Sequence, residues 1–452
     1  MSCKVLAALI LSFALSFSAS TFGQSTSAVT PTEQAIQIAK EAEQLREKGE
    51  IDRSIELYNK AISLDKSLLV AYFGRGLARQ AKKDFAGALV DFTKCIELKS
   101  GIYAFHFNKG EALYELKKYP EAIAEYDRTI ELEPALSVSY YSKAIALVVL
   151  RKYAEAETVF SKFISLVPDY PGGYFERGRT RMAQRNYAGA LLDFEKTIEL
   201  DTSRSIAFLF RARVNAALKK YSEARSDLDF VLKKEPDNVM ALDARGSVLV
   251  NIGEYFAASK DLLRALSLER DNGDVLNTLS VLYFRLEDTQ LLRELSEHTI
   301  KADPTMAMAH NNLGYAKILL GQFSDARKDI EKALKIEPDL IFGLNNRALI
   351  NIHQGRFAEA ERDLSRVFAL DPKLSYGYYN RALLNLKRRK YAAALIDVNK
   401  ALELENDLRI AFALRAQIFE NLGRRAEAET DKAAADEMLR KKRSINLERP
   451  RF

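Results

Sequence analysis

The chain has 452 residues, with 10 prolines, 20 glycines, no tryptophan and two cysteines, and 29% of it is charged. That mixture favours long helices over strands or disorder. The net charge of +6 is small for this length and gives no reason to expect nucleic acid or anionic lipid as a partner.

The first residues differ in character from the rest. Lys4 is followed by an apolar run from Val5 to Phe17, broken only by Ser12 and Ser16, and then by Ser18, Ala19, Ser20, Thr21, Phe22 and Gly23. A basic start, a short apolar stretch and small residues are the layout of a secretory signal, expected over residues 1–23, with cleavage after Ser20 or Gly23. The run is too short to span a bilayer comfortably, and no later segment is apolar enough to cross one. The expected location is therefore the periplasm or the cell exterior. Loss of the signal removes Cys3 and leaves Cys95 alone, so packing and not a disulfide must hold the fold. Residues 24–34 read as a linker ending in a helix start, with Thr30 as cap, Pro31 in the first turn and Glu33 completing a capping box.

From about residue 35 to about residue 442 the chain repeats every 34 residues, which is room for twelve units. One small position reads Ala42, Gly76, Gly110, Ala144, Gly178, Ala212, Gly246, Ser280, Gly314, Ala348, Ala382 and Ala416. Twelve residues further on, the second reads Ser54, Ala88, Ala122, Ala156, Ala190, Ala224, Ala258, Leu292, Ala326, Ala360, Ala394 and Ala428. Apolar residues three and four apart in each half predict two amphipathic helices per unit, and the small residues predict where they cross. Bulky residues are expected to fill the crossing: Tyr72, His106, Tyr140, Tyr174 and Phe208 on first helices, and Tyr58, Phe92, Tyr126, Phe160 and Phe194 on second helices. Pro134, Pro168, Pro236, Pro304, Pro338 and Pro372 are placed to stop second helices. A basic residue before the first small position recurs with an acid sixteen residues later, as in Arg75 with Asp91 and Arg177 with Asp193. Repeat eight carries Leu279 and Leu295 instead, and this joint loss predicts that the two side chains meet. The charged last helix should solvate the end of the stack, and residues 443–452 form a basic tail.

The period, the small and aromatic positions and the trailing prolines together resemble the tetratricopeptide repeat family over roughly nine tenths of the chain. The chain departs from the family in having Tyr, Phe or His where Trp is common. The resemblance implies an all-α, right-handed superhelical solenoid of about twelve antiparallel helix pairs, with first helices lining a concave groove. It also implies protein or peptide partners and no catalysis. Placed on that groove, Asn108 and then Asn277, Asn311, Asn312, Asn345, Asn346 and Asn380 form a ladder of amides able to hold a peptide backbone or to satisfy local structure. Phe73, Phe107 and Tyr141 would give an aromatic lining, or would pack against the next hairpin.

The four histidines fall in different units, and no paired-cysteine, phosphate-loop, HExxH or nucleophile-elbow motif occurs. No catalytic residue, metal or cofactor is expected. The function expected is a non-catalytic interaction scaffold of the cell envelope or exterior. Two other readings stay open: a substrate-recruiting or assembly subunit of an envelope enzyme or export machine, and a structural spacer.

Overall fold

A computed structural model describes residues 30–445 and 447–450. The expected signal and the linker up to residue 29 lie outside the described residues. Among those described there are 24 helices and no strand. First helices have 13 residues and second helices 14, except that the opening helix Pro31–Glu47 has 17 and the closing helix Arg425–Arg443 has 19. The capping box forms as read: Glu33 donates its backbone N–H to Thr30 Oγ1, and the Glu33 carboxylate accepts from the Thr30 N–H.

The chain divides into two compact units, up to Leu218 and from Lys219. The first holds five antiparallel hairpins, from Pro31–Glu47 paired with Ile51–Leu64 to Pro171–Ala183 paired with Tyr187–Leu200, and ends on Ser205–Ala217. The second opens on Tyr221–Lys234 and continues as six hairpins, from Val239–Asn251 paired with Tyr255–Leu268 to Arg409–Asn421 paired with Arg425–Arg443. Within each unit, first helices of consecutive repeats lie closer to one another than second helices do, so first helices form the inner side of the curve.

The glycines mark the crossing. A methyl group at Gly76 would sit 2.6 Å from the Phe92 ring, at Gly110 2.8 Å from Tyr126, and at Gly178 2.9 Å from Phe194. The second-helix aromatic therefore occupies the volume that the absent side chain leaves free. The first-helix aromatics do something other than expected. Tyr140 Oη donates to the Pro134 carbonyl at 3.1 Å, Tyr378 to that of Pro372 at 3.1 Å, and His310 Nε2 meets that of Pro304 at 3.1 Å. In these repeats the ring ties down the entering turn, while Tyr72, Tyr174 and Phe208 lie against Arg75, Arg177 and Arg211. The six prolines stand two residues beyond the ends of their helices, as at Leu132 and Ala302.

At 34-residue intervals, the short turn after each first helix contains one residue in left-handed backbone. Five are glycine (Gly49, Gly253, Gly321, Gly355 and Gly423), and seven are not: Lys83, Lys117, Arg151, Arg185, Lys219, Glu287 and Arg389. A non-glycine residue there costs about 1 kcal/mol.

The recurring charge pair is present in both units. Arg75 meets Asp91 at 2.6 Å, Lys109 meets Glu125 at 2.7 Å, and Arg177 meets Asp193 at 2.7 Å. Arg245, Arg347, Arg381 and Arg415 pair likewise with Asp261, Asp363, Asp397 and Asp431. The aspartates are buried, and a second donor four residues after the base completes several of them: Arg79 to Asp91, Arg181 to Asp193, Asn351 to Asp363 and Asn385 to Asp397. The guanidinium also reaches back to the preceding second helix, from Arg75 to Asn59, Arg177 to Ser161, Arg245 to Asp229 and Arg415 to Asn399. One arginine thus joins three helices. Its planar fork presents donors in two directions, which the point charge of lysine cannot. In repeat eight, Leu279 and Leu295 are both fully buried at these positions.

Candidate functional site

The inner side of each unit is built from first helices, and its character changes along the chain. In the second unit the asparagine ladder exists, with a strict register. Asn312 donates to Asn277 Oδ1 at 3.1 Å, Asn346 to Asn311 Oδ1 at 2.9 Å, and Asn380 to Asn345 Oδ1 at 2.9 Å. Each bond joins one first helix to the preceding one across 35 residues. Asn311, Asn345, Asn346 and Asn380 are between 1% and 6% exposed. Their amides bond to neighbouring first helices, which is the local structural use that the sequence left open beside peptide binding. Asn277 and Asn312 remain half-buried. Asn108, in the first unit, turns its amide onto the Ala104 carbonyl of its own helix at 2.7 Å.

The aromatic lining is also largely packed between repeats. Phe107 is buried against Tyr126, Phe73 stacks between Phe92 and Phe105, and Tyr141 lies among Phe160, Phe163 and Tyr170. Phe73 and Tyr141 keep part of their rings accessible.

Sequence reasoning missed a cluster at the C-terminal end of the first unit. The rings of Phe175 and Phe210 meet edge to face at 5.4 Å. Three guanidinium groups cover them: Arg204 over Phe175 at 5.0 Å, Arg179 over Phe210 at 5.6 Å and Arg213 over Phe210 at 5.7 Å. Glu176 is bonded to Arg179 at 3.0 Å. Burial pushes its carboxyl above the ordinary range, against the pull of Arg179 and Arg204. Phe175 is buried and Phe210 half-buried, so the arrangement presents the guanidinium groups and part of the Phe210 ring, suited to holding a carboxylate or a planar side chain by charge and stacking. The signal available in the sequence was Arg179 and Arg213 at equivalent positions one repeat apart, the two cations in a column that otherwise holds Glu43, Glu111 and uncharged residues.

Sequence patterns of the family described as tetratricopeptide repeat match residues 103–136, 141–205, 175–238, 307–340 and 346–407, together just over half of the chain. The chain belongs to the tetratricopeptide repeat family. No curated protein matches it in sequence. Among solved structures, this repeat array is similar to the APC/C hetero-tetramer Cut9–Hcn1 over 92% of this chain and 90% of that one, with a TM-score of 0.54 and 13% identity. That likeness establishes a shared fold alone. Yeast Tom70 aligns over 92% of this chain and 99% of its own, with a TM-score of 0.39 and 17% identity. YrrB, a TPR protein with an unusual peptide-binding site, aligns over 40% and 97%, with a TM-score of 0.36 and 22% identity. Neither of these superposes closely enough to carry an argument.

Among the described residues of the repeats, no group of three or more His, Cys, Asp or Glu side chains is placed to hold a metal ion, and no helix is long and apolar enough to cross a membrane. His106 is bonded to Glu125 and the Ser100 carbonyl, and His353 stacks on Phe323. A shallow cleft between second helices, lined by Leu232, Pro236, Leu242 and Arg264, surrounds Arg245 and its acids and is the outer side of that three-helix contact.

Proposed function

We propose that this protein is a non-catalytic scaffold that holds extended segments of partner proteins along the inner side of its first unit. The family is typical of protein–protein interaction, and one observation directs the reading to a place: the partly accessible Arg179, Arg204 and Arg213 over Phe175 and Phe210. Phe73 and Tyr141 extend that surface toward earlier repeats. Stacking surfaces with adjacent cations suit segments carrying aromatic and acidic side chains. The ordering of an extended segment costs entropy, so many weak contacts along a long surface are needed.

The location belongs to the same proposal. Residues 1–23 act as a secretory signal, and the scaffold works in the bacterial periplasm or outside the cell, within an envelope complex. Mass spectrometry of the protein expressed with its own N-terminus tests this: a mature chain starting at Thr21 or Gln24 is expected, and an intact Met1 chain in the cytoplasm would end the idea. For binding, affinity capture from envelope extracts is compared between the native protein and a variant with Arg179, Arg204 and Arg213 all changed to alanine. Specific partners should drop out at least tenfold. A partner set that ignores the triple change places binding elsewhere and overturns the proposal.

A further inference from the structure

Repeat eight and the last repeat lie more than a hundred residues apart in sequence, yet they touch. Glu287, in the turn between Gly273–Arg285 and Thr289–Ala302, receives both guanidinium donors of Arg409 at 2.6 and 2.8 Å. The same carboxylate receives the Lys442 ammonium at 2.9 Å. Beside it Arg285 pairs with Glu405, which also accepts from Ser375 Oγ at 2.6 Å. Phe284 lies 5.8 Å from the Tyr376 ring and 5.2 Å from that of Tyr315, and Tyr283 Oη donates to the Glu448 carbonyl of the tail at 3.3 Å.

The repeat register makes these contacts informative. Comparing the twelve units at the position of Glu287, the residues are Gly49, Lys83, Lys117, Arg151, Arg185, Lys219, Gly253, Gly321, Gly355, Arg389 and Gly423, and Glu287 is the sole acid. At the position of Arg409 the others are Ala35, Leu69, Tyr103, Ser137, Pro171, Ser205, Val239, Gly273, Ala307, Ile341 and Ser375, and Arg409 is the sole charge. The two exceptions are bonded to each other. The closing helix is also five residues longer than the other second helices, and Lys442 stands on that extension. A repeat array built only to stack would need none of these three departures.

We infer that the last repeat and its tail form a clasp, which docks on the turn of repeat eight through Glu287 and holds the inner side of repeats eight to eleven closed. Phe284, Tyr315, Tyr376 and Tyr379 are the side chains thereby covered. All four are half-buried, and burial pushes the Tyr379 phenol up to about 12 and raises those of Tyr315 and Tyr376. A partner segment reaches this wall only when the clasp lifts, so the closed form restrains binding in the second unit. The closure does not depend on what the first unit binds. Its ion pairs keep between 18% and 31% of each side chain accessible, which leaves a competing charged segment a way in.

The test uses the full chain and two substitutions. Glu287→Gly removes the carboxylate while suiting the left-handed turn, where five other repeats already carry glycine. Glu287→Arg reverses the charge, and adding Arg409→Glu and Lys442→Glu re-forms the pairs with opposite polarity. Hydrogen–deuterium exchange should speed at least tenfold in residues 280–288, 403–412 and 436–448 for both single variants, with repeat ten unchanged. The triple variant should return toward the native rate, and small-angle scattering should show the single variants longer. Native exchange and scattering in Glu287→Gly would overturn the clasp. So would an even rise across the whole second unit, which reports lost folding and not opening.

Discussion

Asp193 illustrates how single residues hold this array. Its carboxylate is nearly inaccessible and accepts from Arg177 and Arg181, while Arg177 continues to Ser161 and Arg181 to Glu157. Asp193→Ala leaves two cations facing an apolar contact and should cost about 3 kcal/mol, the lower end for a broken buried pair. Changing Arg177 and Asp193 together to leucine imitates repeat eight and should regain most of that loss, since Arg181 keeps Glu157. Hydrogen-exchange protection of residues 171–200 measures both, and equal losses in the two variants would refute the pairing energetics. Cys95 makes a different point. Burial first, and the nearby Asp91 charge second, push its thiol up to about 12. At pH 8 its alkylation, mapped by mass spectrometry, should be on the order of a thousandfold slower than that of an exposed cysteine. Denaturant should abolish the difference. Rapid labelling of the native protein would mean that the first unit opens readily around Phe92.

Among the helices, the asparagine bonds and the clasp show two ways in which first helices are joined. The ladder links neighbours by neutral amides and is insensitive to pH. The clasp links distant repeats by charge and is not. Burial works to raise the Glu287 carboxyl, but the bonds from Arg409 and Lys442 and their charges outweigh it and hold the group below the ordinary range. A lowered value in the closed form means that closure is fully supported above the ordinary carboxylate pKa of about 4.3 and is lost as pH falls through the lower, closed-form value. Of the other groups near Glu287, Tyr315 and Tyr376 stay neutral over that range, Asp436 stands beside Arg409, and Glu405 is paired with Arg285. Scattering recorded from pH 6 to pH 3 should show the native protein lengthen below about pH 4.3. Glu287→Gly should already be long at pH 6 and change little. A native chain that stays compact down to pH 3 would show that the tyrosine contacts alone suffice for closure.

For the molecule as a whole, the sequence alone determined the helical hairpin, its 34-residue period and the crossing at the small residues. The reason is that these depend on local spacing and on side-chain volume at one contact, repeated in register. The charge pair was legible for the same reason, since its absence in repeat eight acted as an internal control. Which side chains remain available to a ligand was not legible. Asn346 and Asn380 look in sequence like groove residues, and only the stacking of one first helix on the next directs their amides inward. The Phe175 and Phe210 cluster with its three arginines needs side chains from two repeats brought to one surface. Glu287 and Arg409 stood out from their columns in sequence, but nothing local joins them. Only tertiary structure could do so, because the curvature that brings repeat eight to repeat twelve is the sum of small rotations, none of which is encoded at either residue.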